Sequence, residues 1–254
     1  MKDLTVVLWD IETSMSIVGS FSLYPESINH ENILEDWYII CACWKYLNRP
    51  KIHGVSGLDD LKRFKKNVKD DFHVVKTLRD MLEDVDILIG HNSDKFDIKK
   101  FNSRLIYHNL PPLPKILTVD TLKEVRKIAS FTSNRLDYLG KHLCGEGKAD
   151  TSRGLWLRAM MGDKKAIEEM VKYNKVDVKV LEDVYLKLRR YMKSHPNLAE
   201  PLTTNCPKCG SDDVKKHDVK MRASGVRYQQ YQCKNCCGYF SDTKSLDKPN
   251  SKVG

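Results

Sequence analysis

The chain lacks long apolar runs, and this absence excludes a membrane-spanning protein. Its longest uninterrupted apolar stretches, such as Trp37 to Trp44, are far shorter than the roughly 18 residues that a spanning helix needs. The N-terminus, Met1 to Leu4, also lacks the apolar segment and the small-residue cleavage site of an export signal. We therefore expect a cytoplasmic protein that makes no contact with a membrane.

Internal repeats are also missing, and acidic residues are in the minority. Hydrophobic residues make up 41% of the 254 residues and charged residues 30%, which is typical of a folded globular protein and not of a disordered or fibrous one. There are 43 Lys and Arg against 34 Asp and Glu, a formal net charge of +9. This balance favours a polyanionic partner such as nucleic acid, but a solvated basic face explains it equally well.

Apolar strand-like runs alternate with amphipathic helical patterns through the first part of the chain. The predicted strands are Thr5 to Trp9, Trp37 to Trp44, Lys51 to Val55, Asp86 to Gly90 and Lys115 to Val119. The predicted helices are Val74 to Glu83, Ile98 to His108, a helix capped by Asp120, Leu136 to Leu143, and Lys164 to Met192. This order predicts an α/β domain over residues 1–195, closed by the helix stops near its end.

Acidic side chains stand at the ends of predicted elements, where they can share one site. Asp10 and Glu12 follow the first strand and, being two residues apart, point to the same face. Asp97 lies at a strand-to-helix junction, and Tyr173 lies four residues before Asp177 on one helical face. Taken singly, each has an ordinary structural explanation: Asp97 as a helix cap, for example, or Tyr173 as a core residue.

Neighbouring polar residues leave alternatives open. Asp94 is a rival to Asp97 as a ligand, and Asp120 is better explained as a helix cap than as part of the site. His91 and Asn92 follow the fourth predicted strand, where they either bind substrate or simply close a turn.

Together these residues resemble the three motifs of the DnaQ-like 3'-5' exonucleases, in the branch with a tyrosine in its third motif. Asp10 and Glu12 fit the first motif, Asp97 the second, and Tyr173 with Asp177 the third. The surrounding sequence looks most like standalone relatives of the proofreading domain of family B polymerases. The residues that carry this second likeness are His91, Asn92, Phe96, Asp120 and Thr121.

The resemblance covers about residues 4–192, and it implies a ribonuclease H-like mixed β-sheet flanked by helices. It also implies hydrolysis of single-stranded DNA from the 3' end, releasing mononucleotides. An exoribonuclease, an endonuclease of the same fold and an inactive nucleic-acid-binding module are the alternatives. Too few residues follow Asp177 for a polymerase domain. We therefore expect standalone action, with any replication or repair partner working in trans.

The implied chemistry depends on metal ions. Carboxylates crowded into one pocket repel each other by about 4 kcal/mol per pair at roughly 4 Å, so cations must neutralise them. Oxygen ligands favour two Mg²⁺ or Mn²⁺ ions. On the family pattern Asp10 bridges both ions, Glu12 and Asp177 support the ion that carries the nucleophile, and Asp97 acts largely by holding the other ligands.

The resemblance gives the remaining residues roles in placing water and substrate. Tyr173 would orient the attacking water through its hydroxyl, because a tyrosine with an ordinary pKa of about 10 is a poor base at neutral pH. The backbone of Thr13 would contact the 3'-hydroxyl. His91 and Asn92 would bind the terminal nucleotide.

Cysteine spacing near the C-terminus predicts a structural metal site. Two Cys-x-x-Cys pairs, Cys206 with Cys209 and Cys233 with Cys236, match the ligand spacing of a closed four-thiolate zinc site. The segments between them can pair as a hairpin, which predicts a small zinc-ribbon domain. Cys237 is a rival to Cys236 as the fourth ligand, although the spacing favours Cys236. The predicted divisions are a linker at 196–204, the ribbon at 205–240 and a disordered tail at 241–254.

The ribbon has a mixture of basic and aromatic residues that fits more than one role. Such side chains can contact phosphates and stack on bases. A purely structural or protein-docking ribbon agrees with the sequence as well. The residues concerned are Lys215, Lys216, Arg222, Arg227, Tyr228 and Tyr231.

Overall fold

The structure is a computed structural model, and it describes residues 4–147, 151–199 and 203–247. The chain divides into two compact units, an N-terminal unit up to Tyr185 and a C-terminal unit from Leu186. In the described part of the chain, no helix combines the length and the apolar character needed to cross a bilayer.

The secondary structure follows the predicted alternation of strands and helices. The strands are β1 (Val6–Thr13), β2 (Ile17–Val18), β3 (Ile33–Glu35), β4 (Ile39–Tyr46), β5 (Ile52–Ser56), β6 (Ile87–Gly90), β7 (Leu117–Asp120), β8 (Val214–Met221), β9 (Arg227–Cys233) and β10 (Tyr239–Ser245). The helices are α1 (Leu61–Lys66), α2 (Phe72–Leu82), α3 (Asp97–Tyr107), α4 (Thr121–Ile128), α5 (Leu136–Leu139), α6 (Leu155–Met160) and α7 (Lys164–Leu188). A π-helical turn, Gly140–Cys144, follows α5 directly.

The N-terminal unit is built on a five-stranded mixed sheet, which confirms the predicted α/β architecture. The strand order is β5-β4-β1-β6-β7. β1, β6 and β7 run parallel, while β4 is antiparallel to both β1 and β5. The carboxyl ends of the three parallel strands therefore meet at one edge, the usual place for a site in such sheets.

Side-chain alternation along β1 decides which residues enter the core and which face the site. Val7, Trp9 and Ile11 pack in one apolar cluster with side chains of α2 and α3. Because successive residues of a strand point to opposite faces, Asp10 and Glu12 lie on the other face of the sheet. A second cluster, containing residues of α6 and α7, covers that face.

The C-terminal unit contains an antiparallel sheet in the order β10-β9-β8. The predicted hairpin corresponds to β8 and β9, whereas β10 was not predicted. Its residues Ser241–Ser245 fall in the segment predicted to be a disordered tail, so that prediction is wrong for these residues. Their polar sequence has no strand pattern, and the strand forms through hydrogen bonds to β9. Residues 248–254 of that predicted tail lie outside the described residues.

The part of the predicted linker that the structure describes is also more ordered than the sequence suggests. The backbone N–H of Leu198 donates to the carbonyl of Pro207 at 2.7 Å, which ties this segment to the first cysteine pair. Residues 200–202 lie outside the described residues. Besides β10, the elements that the sequence did not predict are short: α1, α6, and the pair of β2 and β3.

Candidate functional site

Three carboxylates from β1 and α7 come together at the edge of the sheet. One oxygen each of Asp10, Glu12 and Asp177 lie within 4.8 Å of one another. Asp177 is only 2% exposed, while the two strand residues are half-buried. The register of β1 against β4 shifts between Glu12 and Thr13, so an irregularity of the strand lies at the site, as is common in enzymes.

Asp97 lies next to this group but is not part of it. It is 3% exposed, and its Oδ1 accepts a hydrogen bond of 3.4 Å from the backbone N–H of Ile11, between the two strand carboxylates. Burial raises the pKa of the Asp97 carboxyl to about 7; the N–H of Ile11 opposes this shift and the charge of Asp120 adds to it. This placement suits a residue that holds the strand, so a direct contact between Asp97 and a metal stays a prediction.

Asn174 is a site residue that sequence reasoning missed. Its side chain is fully buried, and Nδ2 donates to Oδ2 of Asp10 at 2.5 Å, although the two residues are 164 apart in the chain. Among the described residues, no hydrogen-bond partner faces its Oδ1. Asn174 precedes Asp177 by three residues on α7, and this shared helical face was the signal available in the sequence.

Tyr173 lies one helical turn before Asp177, as predicted from the sequence. Its ring packs edge-on against Trp156 of α6, with ring centroids 5.8 Å apart. Trp156 is a second residue that the sequence pattern did not single out. An edge-to-face aromatic contact restricts the ring of Tyr173 and so fixes the direction of its hydroxyl.

The loop after β6 is held by hydrogen bonds from several sides. Asn92 adopts a left-handed conformation with φ of 63°, and its N–H donates to Asp120. The Asp120 carboxylate also accepts the N–H groups of Leu122 and Lys123, which confirms its predicted role as a helix cap. His91 bridges the hydroxyl of Thr121 and the carbonyl of Asn134. Both predicted substrate residues therefore also maintain the loop.

Close packing beneath this loop requires a glycine at its start. A Cβ at Gly90 would lie 2.3 Å from Cβ of Ser93, which is shorter than any real contact. Ser93 in turn accepts a hydrogen bond from the buried indole of Trp9 at 2.9 Å. Asp94, the rival ligand, forms an ion pair with Lys123 at 2.6 Å and is not part of the carboxylate group.

An open cleft of about 870 Å³ adjoins Tyr173. His91 and Asn92 line it, as do the basic residues Arg126 and Arg135. Guanidinium groups of this kind are suited to phosphate oxygens, so the cleft has the chemistry to accept a nucleic-acid strand.

The three grouped carboxylates are a suitable donor set for a hard divalent cation. Their oxygens converge from two segments, and a divalent cation would compensate the repulsion between carboxylates at this separation. Mg²⁺ and Mn²⁺ prefer such oxygen ligands. Asp10, Glu12 and Asp177 are therefore the residues that would hold the metal.

The four predicted zinc ligands form a separate cluster in the C-terminal unit. The Sγ atoms of Cys206 and Cys236 are 3.7 Å apart, and those of Cys209 and Cys233 are 3.6 Å apart. A zinc tetrahedron with Zn–S bonds of about 2.3 Å has edges of about 3.8 Å, so the spacing fits one ion. Cys237, the rival ligand, is exposed and is not part of the cluster.

A family model agrees with this architecture. The model RNase_H_2, described as RNase_H superfamily, matches residues 52–189. The chain belongs to the RNase H superfamily. The matched range includes Asp97, Tyr173 and Asp177, whereas Asp10 and Glu12 precede it.

The fold is also similar to a much larger solved structure. The structure of the family B DNA polymerase from the hyperthermophilic archaeon Pyrobaculum calidifontis aligns with a TM-score of 0.55 and 14% sequence identity. The alignment covers 75% of this chain and 26% of that polymerase, so the chain spans about a quarter of its length. At this identity the similarity shows the ribonuclease H-like fold alone. No curated protein sequence matches this chain.

Proposed function

We propose that the protein is a metal-dependent 3'-5' exonuclease of the DnaQ-like group, in the branch with a catalytic tyrosine. The observation that carries the proposal is the convergence of Asp10, Glu12 and Asp177, with Tyr173 one helical turn before Asp177 on the same helix. Bound Mg²⁺ or Mn²⁺ would supply an acidified water and compensate the charge on the phosphate.

The side chains divide the remaining tasks among them. Asp10, Glu12 and Asp177 hold the metal, and Asn174 fixes the orientation of Asp10 through its 2.5 Å hydrogen bond. Asp97 holds the strand between Asp10 and Glu12. Tyr173 orients the attacking water through its hydroxyl, and its contact with Trp156 limits the movement of the ring.

Single-stranded DNA is the proposed substrate, and the basic cleft beside Tyr173 would receive its 3' end. The likeness of the sequence motifs to those of polymerase proofreading domains favours DNA over RNA. His91, Asn92 and the backbone of Thr13 would contact the terminal nucleotide. We also propose that a replication or repair protein is the partner and that it would act in trans.

The four-cysteine cluster supports a structural zinc ribbon in the C-terminal unit. Four thiolates complete the coordination of one zinc ion, which leaves no position for substrate. We therefore assign the catalytic chemistry to the N-terminal unit alone.

A strand-end assay tests the proposed activity. The protein with Mg²⁺ or Mn²⁺ should shorten a 5'-labelled linear single strand stepwise and leave a circular single strand intact. A linear RNA of the same length reports the sugar preference. Cleavage of the circular strand would show that the protein is an endonuclease and not an exonuclease.

Substitution of the carboxylates tests the site itself. Asp10→Asn should lower the rate about a thousandfold or more, because the metal loses a charged ligand. Glu168→Gln, at an exposed position on α7, is the matched control and should leave the rate unchanged. Comparable rates for Asp10→Asn and the unmodified protein would contradict the site.

A further inference from the structure

The two faces of the C-terminal sheet differ in chemistry. Residues paired across antiparallel strands point to the same face, so the register assigns each side chain. One face, which we call the polar face, contains Lys215, Asp218, Lys220, Tyr228, Gln230, Gln232, Tyr239 and Ser241. The other, which we call the apolar face, contains Val214, Lys216, Val219, Met221, Arg227, Gln229, Tyr231 and Phe240.

A bulge in β8 adds a further ring to the polar face. The register shifts between Lys216 and Asp218, which leaves His217 unpaired in the ladder. Its ring lies 4.9 Å from the ring of Tyr239. At the other end of the sheet, the guanidinium of Arg222 lies 3.9 Å from the centre of the Tyr228 ring. The polar face thus combines aromatic rings with amides, cations and the carboxylate of Asp218, and none of the residues assigned to it is aliphatic.

The apolar face has a structural task at one end. Tyr231 and Phe240 stack on each other with centroids 5.5 Å apart, and Phe240 packs against the cysteine cluster. These rings are therefore engaged within the fold. The six basic and aromatic residues that the sequence indicated do not form one surface, because Lys216, Arg227 and Tyr231 lie on this face.

Cations without an acidic partner remain on the polar face. Lys220 pairs with Asp218 at 2.8 Å, and on the apolar face Arg227 pairs with Asp247 at 2.7 Å. Over the residues that the structure describes, no carboxylate lies within ion-pair distance of Lys215 or Arg222, and both are exposed. Such positions attract an anionic partner.

We propose that the polar face binds single-stranded nucleic acid, with bases stacked on Tyr228 and Tyr239 and phosphates held by Lys215 and Arg222. Bases stack on aromatic rings only where they are unpaired, so these rings favour a single strand over a duplex. Tyr228 and Gln232, the partner of Tyr239, are four residues apart on β9, about 13 Å along an extended strand. The two rings therefore form separate stacking positions. The substrate class named here rests on the proposed function.

Neighbouring lysines on opposite faces provide a matched test. Lys215 and Lys216 are both exposed, and no described carboxylate pairs with either. The full chain with Asp10→Asn is loaded with zinc, and its binding to fluorescent oligothymidine is measured by anisotropy at several salt concentrations. Since turnover is not needed, failure of the exonuclease proposal does not affect the result.

The expected results separate the two faces. Lys215→Ala should weaken binding and lower the slope of log affinity against log salt by about one, because one phosphate contact is lost. Lys216→Ala should change neither. Tyr228→Ala should weaken binding about fivefold or more, whereas Met221→Ala on the apolar face should not. Zinc content checks that each variant retains its fold.

Three outcomes would overturn the proposal. Equal effects of Lys215→Ala and Lys216→Ala would show that the net charge of the sheet, and not one of its faces, binds the nucleic acid. Unchanged binding in every variant would show that the polar face does not bind nucleic acid and would indicate a protein partner instead. Duplex DNA bound as tightly as the single strand would exclude stacking. Oligouridine of the same length distinguishes RNA from DNA, and tight binding of either single strand supports the assignment.

Discussion

The two units of this protein differ in what holds them together. In the N-terminal unit, large apolar side chains such as Trp9, Phe101 and Leu78 are completely buried between the sheet and its helices. In the C-terminal unit, the buried hydrophobic residues between 203 and 247 are Cys206, Cys233 and Cys236, with a few partly buried neighbours. The larger unit can therefore fold around its apolar core, while the smaller one depends on whatever joins its thiols.

Because of this difference, a bound metal ion would have a different role in each unit. The carboxylates of the N-terminal unit lie at the edge of a sheet that apolar contacts already stabilise, so under the proposed function a metal ion there would serve chemistry and not folding. Between residues 203 and 247 the cysteines are themselves the buried hydrophobic residues, so a metal ion there would serve folding. The following substitutions test this contrast, in order of decreasing effect.

Loss of the zinc site should have the largest effect and should be confined to the C-terminal unit. Cys209→Ser removes one of four ligands, and structural zinc contributes on the order of 10 kcal/mol to such folds. We expect limited proteolysis to cleave the segment 203–247 while the N-terminal unit resists. Cys237→Ser, at the adjacent exposed cysteine, is the control and should retain zinc. A protease-resistant C-terminal unit in zinc-free Cys209→Ser would contradict the claim that this unit depends on the zinc site for folding.

A buried ion pair should matter next, and only in the N-terminal unit. Asp71 is 1% exposed and accepts two hydrogen bonds of 2.7 Å from Arg104, one of 2.6 Å from His108 and one from the backbone of Ile39. Asp71→Asn leaves the guanidinium buried without its counter-charge, so we expect a loss of about 3–5 kcal/mol in the free energy of unfolding.

The neighbouring residue gives the matched control for this measurement. Asp70 forms a partly exposed ion pair with Arg63 at 3.0 Å, and pairs of this kind contribute about 0–1 kcal/mol. Urea denaturation should therefore separate Asp71→Asn from Asp70→Asn clearly. Similar midpoints for the two variants would mean that the buried network does not stabilise this unit.

The smallest of these effects should fall on activity and not on folding of either unit. Asn174→Ala removes a hydrogen bond to the charged Asp10 carboxylate, which is worth about 1.5–3 kcal/mol. We expect kcat/KM to fall about 10- to 100-fold and the Mg²⁺ concentration for half-maximal rate to rise. Lys172→Ala, two residues earlier and exposed, should change neither. An unchanged metal dependence in Asn174→Ala would assign this residue to packing alone.

Sequence reasoning selected candidate site residues whose spacing is local. Asp10 and Glu12 alternate along a strand, Tyr173 and Asp177 recur along a helix, and each cysteine pair has ligand spacing within four residues. Asn174 carried the same helical signal but was missed, because an asparagine is not a typical metal ligand. β10 was missed because its polar sequence has no strand pattern of its own.

Local sequence patterns specify the five strands of the larger sheet, its longer helices and the chemistry of the donors, because these depend on period and residue type over short distances. Contacts in the folded chain bring Asp177 and Asn174 to Asp10 and leave Asp97 outside the carboxylate group. The tertiary structure also places Lys215 and Lys216, adjacent in sequence, on opposite faces. These outcomes depend on strand register and on contacts between distant segments, which local patterns do not encode.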